Sequence, residues 1–212
     1  MASEIQSGSR TYIKGKRMEN KNWYLHDSSY VDEGAEIGVG TRVWHFSHIQ
    51  SGAKVGKNCV IGQNVNIADG VIIGDNVKIQ NNVSIYKGVI VEDNVFIGPS
   101  VVFTNVINPR SFIERKDKFK KTIVKEGSSI GANSTIICGN DIGRYSFIGA
   151  GSVITKDVVS YSMCYGNPAK RKGWICKCGN KLSRMIKRKW YCEVCDKRYK
   201  YDWHELYMTD EN

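Results

Sequence analysis

From Val31 onward the chain can be written in blocks of six residues, and this period restricts its fold more than any other feature. The blocks run VDEGAE, IGVGTR, VWHFSH, IQSGAK, VGKNCV, IGQNVN, IADGVI, IGDNVK, IQNNVS, IYKGVI, VEDNVF, IGPSVV and FTNVIN. The phase lapses after Asn108 and resumes at Val124 with VKEGSS, IGANST, IICGND, IGRYSF, IGAGSV and ITKDVV. Every block opens on an apolar residue, nearly always Val or Ile. Fifth positions are small at first (Ala35, Thr41, Ser47, Ala53, Cys59) and then mostly Val. Six residues make one short strand and a corner, and three such faces close a triangular coil of about 18 residues. The first position then points inward, and the fifth turns in at a corner where bulk is limited. Asn and Gly tolerate the dihedrals that corners need. A single coil cannot bury its own apolar face, so the coils must stack. The period therefore predicts an all-β parallel β-helix over about residues 23–160.

One segment breaks the phase. Between Phe103 and Val124 the repeat slips by fifteen residues, through TNVINPRSFIERKDKFKKTI. A long insertion in a compact solenoid is uncommon and tends to carry function. The inserted loop, near 105–122, is the first place to look for a site.

The formal net charge is +10, but residues 170–200 alone hold 12 Lys/Arg against Glu193 and Asp196. The excess belongs to the C-terminal part. No apolar run approaches the roughly 20 residues of a membrane span, and the N-terminus lacks a signal-peptide pattern, so the expected location is cytoplasmic. In such a chain seven cysteines argue against a disulfide framework. Four of them form C-x-C-G and C-x-x-C knuckles: Cys176 and Cys178, then Cys192 and Cys195, with thirteen residues between the pairs. Four thiolates so arranged suit structural Zn²⁺ and leave no open position for catalysis. Residues 174–212 are expected to be a small zinc-ribbon-like module, and 161–173 a chain exit. Residues 1–22 match nothing in the repeat and are read as an extension. Basic residues around a ribbon also raise nucleic acid, but Trp174, Trp190 and Tyr191 serve equally as the module's small core, and nucleic acid is not the expected partner.

The blocks resemble the hexapeptide signature of acyltransferases, whose coils are the left-handed exception to the right-handed crossover rule. More narrowly, YVDEGAEIG, WHFSHI, KIQNNVSIY, GPSVVFTNVINPR, IERK, IGRYSFIGAGSVITKDV and GNPAK are similar to the UDP-2-acetamido-3-amino-2,3-dideoxy-D-glucuronate N-acetyltransferases of surface-polysaccharide (O-antigen or capsule) pathways. The likeness covers about residues 23–175. It implies acetyl transfer from acetyl-CoA to the 3-amino group of a UDP-linked amino-hexuronic acid, in a homotrimer with active sites between subunits. A dTDP-3-amino-3,6-dideoxyhexose or a UDP-4-amino sugar is the close alternative acceptor. A non-catalytic scaffold is the distant one. A γ-type carbonic anhydrase would need three His ligands, and only His45 and His48 lie in the repeat.

The resemblance implies site residues. Asn105 looks like the residue that meets the sugar amine. An amide accepts a hydrogen bond and orients the amine but is no strong base. No His lies near the loop to act as one. Arg110 and Arg115 offer guanidinium forks for a pyrophosphate or carboxylate, and Glu114 offers a carboxylate for a hydroxyl or an Arg. Asn82 and Tyr86, one coil earlier, are candidate sugar or uracil contacts. For CoA the candidates are Gly139, Gly149 and Ala150, where backbone can approach closely, and Lys156, Lys170 and Arg171 for its phosphates. Each of these positions is also compatible with a plain surface residue.

Overall fold

A computed structural model describes residues 12–14, 22–182, 184–186, 189–202 and 205–209. Three sheets of short parallel strands run around a single axis, joined by corners of about four residues. Strands pair with the strand one coil on: Arg42 with Val60, Val60 with Lys78 and Lys78 with Phe96. This 18-residue register is the hexapeptide period multiplied by three faces. The insertion is visible in the same ladder. Phe96 pairs with Ser129, 33 residues on (129 − 96), after which Ser129 pairs with Phe147 at the normal 18.

First-position residues form the core. Ile49, Ile61, Ile67, Ile79, Ile85, Ile97, Ile130, Ile136, Ile142 and Ile148 are all fully buried. Each such side chain contributes about 1.5–3 kcal/mol on burial. Thr41 and Ser47 show how a small polar residue can hold the fifth position. The Thr41 hydroxyl donates to the Gly56 carbonyl at 2.7 Å and accepts the Cys59 N–H at 3.0 Å. The Ser47 hydroxyl likewise donates to Gly62 O at 2.8 Å and accepts the Val65 N–H at 3.0 Å. Buried hydroxyls without such partners would be costly.

Corner geometry explains the Asn and Gly content. Asn58, Asn64, Asn76, Asn82, Asn94 and Asn133 all sit in the left-handed region, with φ between 55° and 60°, where Asn is tolerated better than most residues. Second-position glycines answer a different need. A Cβ on Gly38 or Gly56 would lie 2.5 Å from the backbone of the next coil.

The three faces meet at three edges. The loop leaves after the strand Val102–Phe103 and returns into Thr122–Val124. Tyr86–Gly88 lies at this edge one coil earlier, and Ile137–Asn140 and Thr155–Asp157 lie there in later coils. Gln80–Asn82 and Gly149–Gly151 lie at a different edge.

Both ends depart from simple stacking. Of the N-terminal extension, Tyr12–Lys14 pairs antiparallel with Tyr30–Asp32, and the rest lies outside the described residues. Parallel pairing begins at Tyr24–Leu25, before the first recognisable block. The segment expected as a chain exit is itself structured. Ser162–Gly166 continues the helix and turns into Ala169–Trp174, which pairs back on it antiparallel. Beyond it a four-stranded antiparallel sheet runs Arg184–Ile186, Lys189–Tyr191, Arg198–Asp202 and Glu205–Met208. This sheet packs on the last coils through a second small core that includes Tyr161, Trp174, Leu182, Tyr199 and Leu206.

Candidate functional site

The inserted loop is closed at its base by the Lys120 N–H donating to Asn105 O at 2.8 Å. Asn105 is half-buried there. Its neighbour Thr104 accepts the Cys138 N–H at 2.9 Å, and Thr122 on the returning strand accepts the Gly139 N–H at 3.2 Å. The two ends of the loop are thereby bonded to the next coil. Tyr86 is exposed at the same edge, and Lys87 beside it pairs with Asp69 at 2.6 Å. Asn105, Tyr86 and Gly139 thus occupy successive coils of one edge.

Within the loop, Arg110 and Ile113 form an isolated antiparallel bridge, and a 3₁₀ turn spans Lys116–Lys118. Arg110 is exposed and donates to Pro109 O at 3.1 Å. Glu114 pairs with Lys116 at 3.0 Å, not with an arginine. Arg115 differs from both. Its Nε is buried without a hydrogen-bond partner.

The remaining candidates separate. Asn82 sits at the other edge, in a left-handed corner, and its amide oxygen accepts from Asn64 Nδ2 at 3.0 Å. This is an asparagine ladder at a coil corner. Gly149 and Ala150 share that edge. A Cβ on Gly149 would lie 2.8 Å from Tyr165 Cβ, so the terminal hairpin accounts for this glycine.

Lys156, Lys170 and Arg171 do converge. They line a cavity of about 390 Å³ at the end of the helix, with Ile154, Val158 and Ala169 among its apolar lining. Spacing alone could not bring them together, because the chain reverses between Gly166 and Ala169. The Arg171 guanidinium lies 4.4 Å from the Trp174 ring centroid. Cys164 also lines the cavity, but burial pushes its thiol up, outweighing the opposing effects of Ser162 and Arg171. That is the wrong direction for a thiolate nucleophile.

Two histidine contacts were not legible beforehand. His48 Nε2 lies 2.8 Å from Asp32 Oδ1, and the His26 and His45 rings stack at 3.5 Å. The sixteen-residue separation of Asp32 and His48 is nearly one coil, a signal available in principle once the period is known. Both contacts lie in the earliest coils, away from the loop. His204 lies outside the described residues.

In the C-terminal module the four cysteine Sγ atoms all lie within 4.8 Å of one another. Cys176 and Cys195 are 3.3 Å apart, and Cys178 and Cys192 are 3.6 Å apart. Tyr199 OH is 3.0 Å from Cys176 Sγ, a contact no motif announces. Burial is the largest influence pushing the Tyr199 phenol up.

These features define a parallel β-helix of hexapeptide repeats with a loop site on one edge and a cationic cavity at one end. Family models describe the same repeats: Bacterial transferase hexapeptide (six repeats) matches residues 34–69 and 70–105, and Hexapeptide repeat of succinyl-transferase matches 52–87 and 121–156. The β-helix is that of the hexapeptide-repeat acetyltransferases, and its left hand comes with that likeness. Among curated relatives, a dTDP-3-amino-3,6-dideoxy-alpha-D-galactopyranose 3-N-acetyltransferase of Aneurinibacillus thermoaerophilus is 53% identical over 85 residues, 40% of this chain and 43% of the relative. The chain spans less than half the length of the curated relatives it matches. A Vibrio cholerae hexapeptide-repeat acetyltransferase crystallised with acetyl coenzyme A is 26% identical with a TM-score of 0.51, covering 58% of this chain and 70% of that one. A Bacteroides fragilis UDP-N-acetylglucosamine acyltransferase, 20% identical over 73% of this chain and 62% of that one, shares the fold at a TM-score of 0.61. Among the described residues no helix is long and apolar enough to cross a membrane.

Proposed function

We propose that the chain transfers an acetyl group from acetyl-CoA to the amine of a nucleotide-linked 3-amino sugar. The observation that carries this is the 53% identity to an N-acetyltransferase of such a sugar. The loop supports it, with half-buried Asn105 at its base. The donor reading rests on the cavity of Lys156, Lys170 and Arg171, where cations and apolar walls suit phosphates and a pantetheine arm. The Vibrio cholerae relative's acetyl-CoA complex supports the same donor.

In the reaction, the amine nitrogen attacks the thioester carbonyl carbon. The N–C bond forms, the C–S bond breaks, and the amine proton passes to the departing thiolate. Asn105 orients the amine lone pair through its side-chain oxygen. Such orientation is itself a large contribution to rate.

The acceptor favoured by the relative's name is a dTDP-linked 3-amino-3,6-dideoxyhexose, for use in sugar-polymer biosynthesis. The UDP-linked amino-hexuronic acid keeps one specific observation in its favour. Arg115 Nε is buried and unpartnered, as a donor awaiting a carboxylate or pyrophosphate would be. A panel of nucleotide amino sugars with acetyl-CoA, read by free-thiol release, decides. Turnover confined to uronates would establish the second acceptor, and no turnover with any sugar would reject the transferase reading.

The candidate residues occupy two edges of one chain. A homotrimer with sites between subunits would face one edge of each chain against another edge of its neighbour, and so reunite them. The four thiols are proposed to hold a structural Zn²⁺. Zn–S bonds of about 2.3 Å in a tetrahedron set S–S distances near 3.8 Å, and the observed separations of 3.3 and 3.6 Å lie close to that value.

A further inference from the structure

We infer that metal in the four-cysteine cluster positions Arg171 in the cavity wall, so that zinc loading and coenzyme A affinity are coupled. The inference rests on the donor reading above. It starts from how the cluster is tethered. Cys176 and Cys178 follow directly from the strand Ala169–Trp174, whereas Cys192 and Cys195 belong to the region of the four-stranded sheet. One ion on all four would therefore join the strap that leaves the helix to the sheet that covers it.

The strap is pinned to the last coil at few points. The Ile175 N–H donates to Tyr161 O at 2.8 Å, and the Leu182 N–H donates to Trp174 O at 2.9 Å. Tyr199 links the sheet to both parts. Its hydroxyl lies 3.0 Å from Cys176 Sγ and accepts the Lys177 N–H at 2.9 Å, while its ring lies 5.3 Å from that of Tyr161. Two of the seven buried residues in this small core are the ligands Cys176 and Cys192. A unit of about 40 residues seldom folds on apolar burial alone, and metal is a usual remedy. Without the ion the strap keeps only these weak attachments.

Trp174 transmits the effect. It is buried in the same core, two residues before Cys176, and its ring supports the Arg171 guanidinium at 4.4 Å. Arg171 in turn lines the cavity. If the strap loosens, Trp174 leaves its seat and Arg171 loses the surface that fixes its direction. The cavity then keeps its charge but loses a placed donor.

The experiment uses the full chain purified under reducing conditions, with zinc measured by elemental analysis and coenzyme A binding by calorimetry. We expect one zinc per chain. Chelation is expected to weaken coenzyme A binding by roughly tenfold, the scale of one lost charge-assisted contact, and zinc is expected to restore it. Circular dichroism should show the β-helix intact throughout. Arg171→Ala should retain zinc, bind coenzyme A about as weakly as the stripped protein, and show no further loss on chelation. Trp174→Leu should behave alike, and Arg171→Lys should recover affinity only in part.

Absence of zinc, or a Cys176–Cys195 disulfide in its place, would overturn the metal premise. Equal affinity in loaded and stripped protein, with Arg171→Ala still impaired, would overturn the coupling while leaving the donor reading intact. Loaded protein that binds no coenzyme A would overturn the donor reading, and the coupling with it.

Discussion

At the scale of single residues, Asn105 and His48 make opposite claims on the chemistry. Asn105 is half-buried at the base of the loop, whereas His48 is paired with Asp32 at 2.8 Å in an early coil. An aligned amine needs no protein base if the leaving thiolate accepts the proton. Asn105→Ala is therefore expected to lower kcat roughly a hundredfold through lost orientation, with little change in the KM for acetyl-CoA. His48→Ala should leave kcat within about twofold, since loss of a half-exposed ion pair changes local stability by at most about 1 kcal/mol. Steady-state kinetics on both variants, with the best sugar from the panel, check the pair of outcomes. The sequence pointed to Asn105 through its resemblance, and to His48 only as an outward-facing residue. Its partner Asp32 belongs to the coil before, and pairing between coils is a property of the fold.

At the scale of elements, stability comes from stacked coils. Ile130 is fully buried among the first-position residues, and Ile130→Ala is expected to cost about 2–5 kcal/mol in chemical denaturation. Gly56→Ala tests a different constraint. Its Cβ would lie 2.5 Å from the Gly74 backbone, so two coils must part. Its loss should rival that of Ile130→Ala although only a methyl group is added. The loop behaves differently again. Its ends are held by the Lys120–Asn105 hydrogen bond and by the strands on either side. Replacing residues 106–119 with a short glycine linker should leave the thermal transition nearly unchanged and abolish acetyl transfer. A collapse of the fold would show that the loop stabilises the helix, contrary to its position outside the core.

At the scale of the whole molecule, the candidate residues on two edges require more than one chain. The chain is expected to sediment as a trimer. A substitution facing the subunit boundary, such as Phe96→Glu on an exposed sheet position, should yield a monomer with little activity. Analytical ultracentrifugation with a parallel assay checks this; an active monomer would place the whole site on one chain.

The periodicity by itself determined the β-helix, its 18-residue coil and the fifteen-residue slip, because the residues that define a coil recur at fixed spacing and meet the same backbone environment each time. The cysteine knuckles were equally local, and the four thiols do gather. Tertiary structure alone decided which edge each candidate occupies. It set Asn82 in a corner ladder and assigned Gly149 to Tyr165, and it reversed the chain so that Lys156 meets Lys170 and Arg171. It also placed Tyr199 on Cys176 and Trp174 under Arg171. These contacts join residues whose separations share no period, so they exist only once the last coil, the hairpin and the small sheet pack together.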